Sequence, residues 1–312
     1  MTDVWHQLLA PLDPRELPPL TLTLADQGLP HPLRASALPF CPRYWCLWRL
    51  LPASQRPDPT ISFVRKAITA SGTVLHALAQ HWLRRLLYGD WECPGCGQIQ
   101  ERTAWHQRLS CRSRTCSRRG YPLRYRELEL RHPRVPLTGH PDGIIVQGVA
   151  RPLVLEIKII DEAKLTALTA PVDAHVYQTS AYARLLRYPP HELHPREVLF
   201  MYLNRNLPFR NSVWQAEAAG ALHEVLQGSS GYAARPLLKV FRHPVSLSLI
   251  EAELATIQRA LRTARHDRVL THVKWRRCAD VTAAAQTFCA LRYVCFASWT
   301  DALLHANRRQ PG

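Results

Sequence analysis

The stretch Pro152-Leu-Val-Leu-Glu-Ile-Lys-Ile-Ile160 decides how this chain is read. Its length and β-branched content predict a strand, and strand periodicity divides its side chains between two faces. Val154, Glu156 and Lys158 share one face, while Leu153, Leu155, Ile157 and Ile159 share the other. An otherwise apolar strand that carries two charges on one face needs a reason for them. Just upstream stands Pro141-Asp142-Gly143, and Glu156 follows Gly143 by thirteen residues, a spacing that suits adjoining strands. Two carboxylates and an amine brought together in this way can hold a divalent cation beside a phosphodiester. Carboxylates are hard oxygen ligands suited to Mg²⁺ or Mn²⁺, and a lysine can orient water or steady charge on phosphate. The rival reading is an ordinary cross-strand ion pair next to a hairpin turn at Asp142-Gly143.

The neighbouring residues weigh between the two. Read in order, the chain carries Gly72-Thr-Val-Leu-His76, Gly139-His-Pro-Asp142, Glu156-x-Lys158 and Gln178-Thr-Ser-Ala-Tyr182. This ordered set resembles the RecB-like branch of the PD-(D/E)XK nucleases, which includes the CRISPR adaptation exonuclease and the nuclease domains of bacterial recombination helicases. The resemblance runs from about Ser36 to Trp299. It implies an α/β fold with a restriction-endonuclease-like core, a mixed central sheet flanked by helices. It also implies that Asp142, Glu156, His76 and the Ile157 carbonyl hold Mg²⁺ or Mn²⁺, that Lys158 positions the attacking water, and that Gln178 and Tyr182 buttress the site and touch the substrate backbone. A histidine ligand suits Mn²⁺ well. Cleavage would leave a 5′ phosphate and a 3′ hydroxyl.

Composition agrees with a polyanionic partner. The 312 residues hold 40 Lys and Arg against 24 Asp and Glu, a formal charge of +16, which attracts phosphate backbones whatever their sequence. No apolar run approaches a membrane span, and residues 1–20, with early acids and several prolines, do not read as a signal peptide. A cytoplasmic chain with no membrane partner is expected. No phosphate-binding loop of the G-x-x-x-x-G-K-[ST] type occurs, so any helicase, or a CRISPR integrase, would be a separate partner.

The nine cysteines therefore read as metal ligands or buried thiols rather than disulfides. Cys93-Pro-Gly-Cys96 is a tight knuckle, and Cys111 and Cys116 would complete a zinc-ribbon-like site; His106 is a possible substitute ligand. Four residues separate the second pair where two are usual. Arg108, Arg112, Arg114, Arg118 and Arg119 crowd this element, which could grip nucleic-acid backbone. A second group is split across the chain. Cys41-Pro-Arg43, with Cys289 and Cys295, resembles the cysteines that hold a [4Fe-4S] cluster in the same family, with Cys278 first and Cys46 second as the fourth ligand; buried thiols without iron are the alternative.

The expected organisation is an N-terminal arm and first helices over 1–90, the cysteine-rich insertion over 91–125, the nuclease core over 126–270 and a cysteine-bearing tail over 271–312. Helices are expected near Tyr44–Leu51, Ser71–Tyr88, Asp173–Arg187 and Ser246–Arg265, with Gly89-Asp90 stopping the second. Strands are expected at Tyr125–Leu130, Gly143–Gln147, Val154–Ile160, Glu197–Leu203 and Leu237–Arg242. The expected function is a metal-dependent DNA exonuclease or end-trimming enzyme on single strands, in recombination, repair or CRISPR adaptation. Its rivals are a non-catalytic nucleic-acid-binding scaffold and a factor working through the arginine patch alone.

Overall fold

A computed structural model describes residues 33–35, 63–104, 109–135, 137–206, 213–228 and 230–267. In chain order the elements are β1 (Leu33–Arg34), α1 (Phe63–Leu83), β2 (Tyr88–Glu92), β3 (Ile99–Ala104), β4 (Arg124–Arg126), β5 (Leu130–Arg131), β6 (Leu137–Gly139) and β7 (Gly143–Ile145). They continue with β8 (Leu153–Ile160), α2 (Glu162–Ala167), α3 (Asp173–Leu185), β9 (Glu197–Asn204), α4 (Val213–Gln227), β10 (Tyr232–Arg235), β11 (Leu238–Pro244) and α5 (Leu247–Asp267).

The fold is mixed α/β. Its central sheet has five strands in the order β10-β11-β9-β8-β7. Strands β8 and β9 run parallel, with Glu156 opposite Phe200 and Lys158 opposite Tyr202, and every other pairing in the sheet is antiparallel. The parallel pair needs a crossover, which α2 and α3 supply. Two three-stranded sheets complete the fold, β1-β6-β5 and β3-β2-β4.

The alternation along β8 sorts the interior into two layers. Leu153, Leu155 and Ile157 join Leu199, Met201 and Leu203 of β9 in a buried cluster with Trp82 and Leu83 of α1 and Trp214 and Leu222 of α4. The Trp82 and Trp214 rings meet edge to face at 5.3 Å, a geometry that places a positive ring edge on a negative face. Val154 lies on the opposite side with Val198, Phe200 and Tyr202, against Tyr177, Ala181 and Tyr182 of α3 and Ile250 and Leu254 of α5. Helices thus cover both faces, and Glu156 and Lys158 project into the α3 layer. No helix among the described residues is long and apolar enough to cross a membrane.

Several elements differ from expectation. Helix α1 begins at Phe63 and ends at Leu83, and Gly89-Asp90 does not stop a helix but lies inside β2. Trp91 explains the difference: it alternates with its neighbours as a strand residue, is wholly buried, and donates its indole N–H to the Thr103 carbonyl across the small sheet. The strand expected over Tyr125–Leu130 divides into β4 and β5, in different sheets. Asp142-Gly143 is no hairpin turn, since Gly143 opens β7 opposite Leu155. The helix near Tyr44–Leu51 and Cys41, Cys46, His106, Arg108, Cys278, Cys289 and Cys295 lie outside the described residues.

Candidate metal centres

One cluster forms where α1, the segment after β4 and the entry to β7 converge. His76, on α1, points Nε2 at Asp142 Oδ1 from 3.1 Å. Glu127, which the sequence reading did not single out, brings Oε1 to 4.0 Å from His76 Nδ1. The ligand atoms of His76, Glu127 and Asp142 all lie within 4.8 Å of one another, close enough to surround one ion. Gln80, one helical turn beyond His76, staples the group: its Nε2 donates to Glu127 Oε1 at 2.8 Å and to the Asp142 carbonyl at 2.7 Å.

Asp142 is tied to β8 as well, because the Ile157 backbone N–H donates to Oδ2 at 2.6 Å. Ile157 thus touches the cluster through its amide. Glu156 is not one of the three converging groups. It is wholly buried, and its Oε1 is held by the Lys158 ammonium at 2.5 Å, while Oε2 has no hydrogen-bond partner among the described residues. Burying a carboxylate costs free energy unless it is paired, and Lys158 supplies that pairing on one oxygen only.

The electrostatics describe a centre short of positive charge. Three carboxylates, Glu127, Asp142 and Glu156, face one ammonium, Lys158, and a histidine. Burial and the Asp142 charge push the Glu156 carboxyl up to about 8, and the same two causes raise Glu127 to about 7. Burial alone would depress His76, but the Asp142 charge and hydrogen bond, aided by Glu127 and Glu156, outweigh it and raise the imidazole to about 9. Asp142 is the exception: burial opposes its ionisation, and His76, Lys158 and the Ile157 amide overcome that and hold it below its usual range. Burial likewise opposes the Lys158 charge, and Glu156 and Asp142 prevail, so the amine is held above its usual range. Without a cation the centre keeps protons in its place; a metal must displace them.

Gln178 and Tyr182 pack beside this centre from α3. Both are buried, and Gln178 Nε2 donates to the Tyr182 hydroxyl at 2.7 Å. Burial, with the Glu156 and Asp142 charges, raises the Tyr182 phenol far above its ordinary range, so it is a fixed neutral donor. A cleft of about 620 Å³ opens next to Gln80 and Glu127, between α1 and the small β3-β2-β4 sheet. Five carboxylates line it against three arginines, which suits a cation or a neutral group better than a phosphate backbone.

The second cluster lies at the far end of β2. The Sγ atoms of Cys93, Cys96, Cys111 and Cys116 fall within 4.8 Å of one another, with Cys93 to Cys116 at 3.7 Å and Cys96 to Cys111 at 3.6 Å. Four thiolates at this spacing can bind a metal such as zinc. The local backbone is shaped for it. Gly97 takes φ 71, which turns the knuckle so that its N–H meets the Cys93 carbonyl at 2.8 Å. Backbone N–H groups of Gly95 and Arg118 donate to the Cys93 and Cys116 sulfurs at 3.4 and 3.3 Å. Burial opposes ionisation of Cys93, but the Gly95 and Cys96 amides prevail and bring its thiol to about 7. The four-residue gap between Cys111 and Cys116 is absorbed by a turn in which Cys116 N–H reaches the Ser113 carbonyl.

No protein-family model matches this chain, and no curated protein matches it. A solved structure described as "Crystal structure of SSO0001" shares 15% identity with it, covering 70% of this chain and 86% of the other, with a TM-score of 0.28. So loose a likeness defines neither the fold nor the function.

Proposed function

We propose that this chain is a metal-dependent DNA nuclease with a RecB-like, restriction-endonuclease-like core, an exonuclease or end-trimming enzyme acting on single strands. The observation that carries the reading is the approach of His76, Asp142 and Glu127 to one point beside the buried Glu156–Lys158 pair. Helices on both faces of a mixed sheet, with these groups at its β7–β8 edge, support the same reading. Oxygen-rich ligation with one imidazole fits Mg²⁺ or Mn²⁺.

Bound there, a divalent ion would acidify a water and screen charge on the phosphate oxygens. The protein does the positioning. Asp142 is locked by the Ile157 amide and by His76, so its direction is set before any ligand arrives. Lys158, held positive by Glu156 and Asp142, acts as a fixed charge beside the scissile phosphate and orients the water; it does not serve as a base. Gln178 and Tyr182, on α3, form one wall of the centre. In the reaction, a water oxygen bonds to phosphorus and the bond from phosphorus to the 3′ oxygen breaks. Water's two hydrogens are shared between the 5′ phosphate and 3′ hydroxyl products.

The test is product analysis. Linear and circular single-stranded DNA, each with Mg²⁺ or Mn²⁺, separates end-dependent from internal cleavage. Degradation of linear strands alone, with 5′ phosphate ends, is expected; intact DNA under every condition would favour the scaffold alternative.

A further inference from the structure

We propose that the outer surface of the four-cysteine knuckle docks the phosphate backbone of the nucleic-acid substrate, at a place separate from the reaction centre; the proposal builds on the nuclease reading above. Arg112, Arg114, Arg118 and Arg119 are all exposed on the turns that carry Cys111 and Cys116. None of the four pairs with a carboxylate among the described residues, and from Arg102 to Arg126 the sequence contains no Asp or Glu at all. Exposed segments usually mix both signs; this one carries a single sign and an exposed aromatic. Tyr121 is 59% exposed, a ring on which a base can stack.

The thiol cluster fixes the patch. The Arg118 N–H is spent on the Cys116 sulfur and the Arg119 N–H on the Cys116 carbonyl, so these two arginines leave the surface from backbone that the cluster pins. Arginines rooted on a pinned backbone lose less freedom on meeting phosphates than arginines on a loose loop. The patch also has a defined reach. Strand β4 leads from it to Glu127, and six residues of extended chain, from Tyr121 to Glu127, span at most about 20 Å. Docking there holds a strand at a distance from the bond being cut.

The experiment uses the full chain and its quadruple variant Arg112→Gln, Arg114→Gln, Arg118→Gln, Arg119→Gln, with Arg118→Gln, Arg119→Gln alone as the second variant should the quadruple fail to fold. Fluorescence anisotropy with a single-stranded oligonucleotide of about 20 nucleotides is read without divalent metal, so binding is scored apart from cutting. The expected result is at least about a tenfold loss of affinity for the quadruple variant, and a salt slope shallower by about 0.7 for each phosphate contact removed. Tyr121→Ala should weaken single-stranded DNA more than duplex. A chromogenic thymidine phosphodiester, too short to reach the patch, should be hydrolysed at the wild-type rate by the arginine variants. Unchanged affinity and salt slope in folded variants overturn the proposal. Loss of binding in a protein that hydrolyses nothing would leave the docking surface standing and sink the nuclease reading instead.

Discussion

The ring of Tyr182 occupies the space where a side chain at position 139 would stand: a Cβ built on Gly139 falls 2.5 Å from Tyr182 Cε1. Only a glycine on β6 lets α3 close over the strand that leads to Asp142. Gly139→Ala should therefore push Tyr182 outward and break its hydrogen bond to Gln178. We expect about 1–3 kcal/mol of destabilisation, the usual cost of overpacking, read from urea denaturation. Activity should fall by more than the unfolded fraction explains. A variant of wild-type stability would show that the helix does not need this contact.

Glu127 should matter to metal binding. Its carboxylate lies 4.0 Å from Nδ1 of His76 while Nε2 faces Asp142, and its oxygen is one of the three ligand atoms that close on one point. Glu127→Gln should weaken Mn²⁺ binding about tenfold or more in calorimetry, with Gln80→Ala having a smaller effect in the same direction. Equal affinity in wild type and Glu127→Gln would remove Glu127 from the centre.

Stability of the metal-free protein should fall as pH rises above about 6.5, because below that His81 and His175, depressed by burial to about 3 and about 4, act in the opposite sense to the carboxyls of the centre. His76 is raised from 6.5 to about 9, Glu156 from 4.5 to about 8 and Glu127 from 4.5 to about 7. Each binds its proton more tightly folded than unfolded, so its contribution is whole below the unfolded value and lost as pH passes through the folded one. The net decline should run from about pH 6.5, where the depressed histidines stop contributing, to about pH 9, where His76 gives up its proton. Asp142, held low, acts in the opposite sense only in acid. Saturating Mn²⁺ should flatten the profile. The check is the urea midpoint from about pH 6.5 to about pH 9 in chelator; a midpoint that climbs over that range contradicts the assignment.

Zinc should be found at about one ion per chain by elemental analysis, and Cys93→Ser or Cys111→Ser should lose it. Because Cys93, Cys111 and Cys116 belong to the same buried cluster as Trp91 and Leu83, removing the ion should lower the melting temperature of the whole chain. Unchanged melting after complete removal of zinc would show the cluster to be structurally idle.

Much of this was legible in the sequence, and the reason is periodicity. In β8 the alternation of apolar and charged side chains places Glu156 and Lys158 on one face, and α3 sets Gln178 and Tyr182 one turn apart. The four cysteines were legible through the knuckle at Cys93-Pro-Gly-Cys96. Glu127 was not, because Arg126-Glu-Leu-Glu-Leu130 alternates like an exposed strand and nothing local distinguishes Glu127 from Glu129. What turns Glu127 inward is the break between β4 and β5, which sends the chain into another sheet. Helix α4 was missed too: Ala216, Ala218, Ala219 and Ala221 blur its apolar face, and only packing under Trp214 and Leu222 defines it. Gly89-Asp90 looked like a helix stop because glycine and aspartate are stop signals locally, while burial of Trp91 in a small sheet is a tertiary fact.

The central claim is that Asp142 and Lys158 serve a single metal-dependent hydrolytic centre. The direct measurement is degradation of end-labelled single-stranded DNA in Mn²⁺ by purified wild type, Asp142→Ala and Lys158→Ala, each checked for folding. The account predicts cleavage by the wild type that chelator stops, and loss of about a hundredfold or more of that rate in both variants. Equal cleavage by all three folded proteins, or none by the wild type, would contradict it.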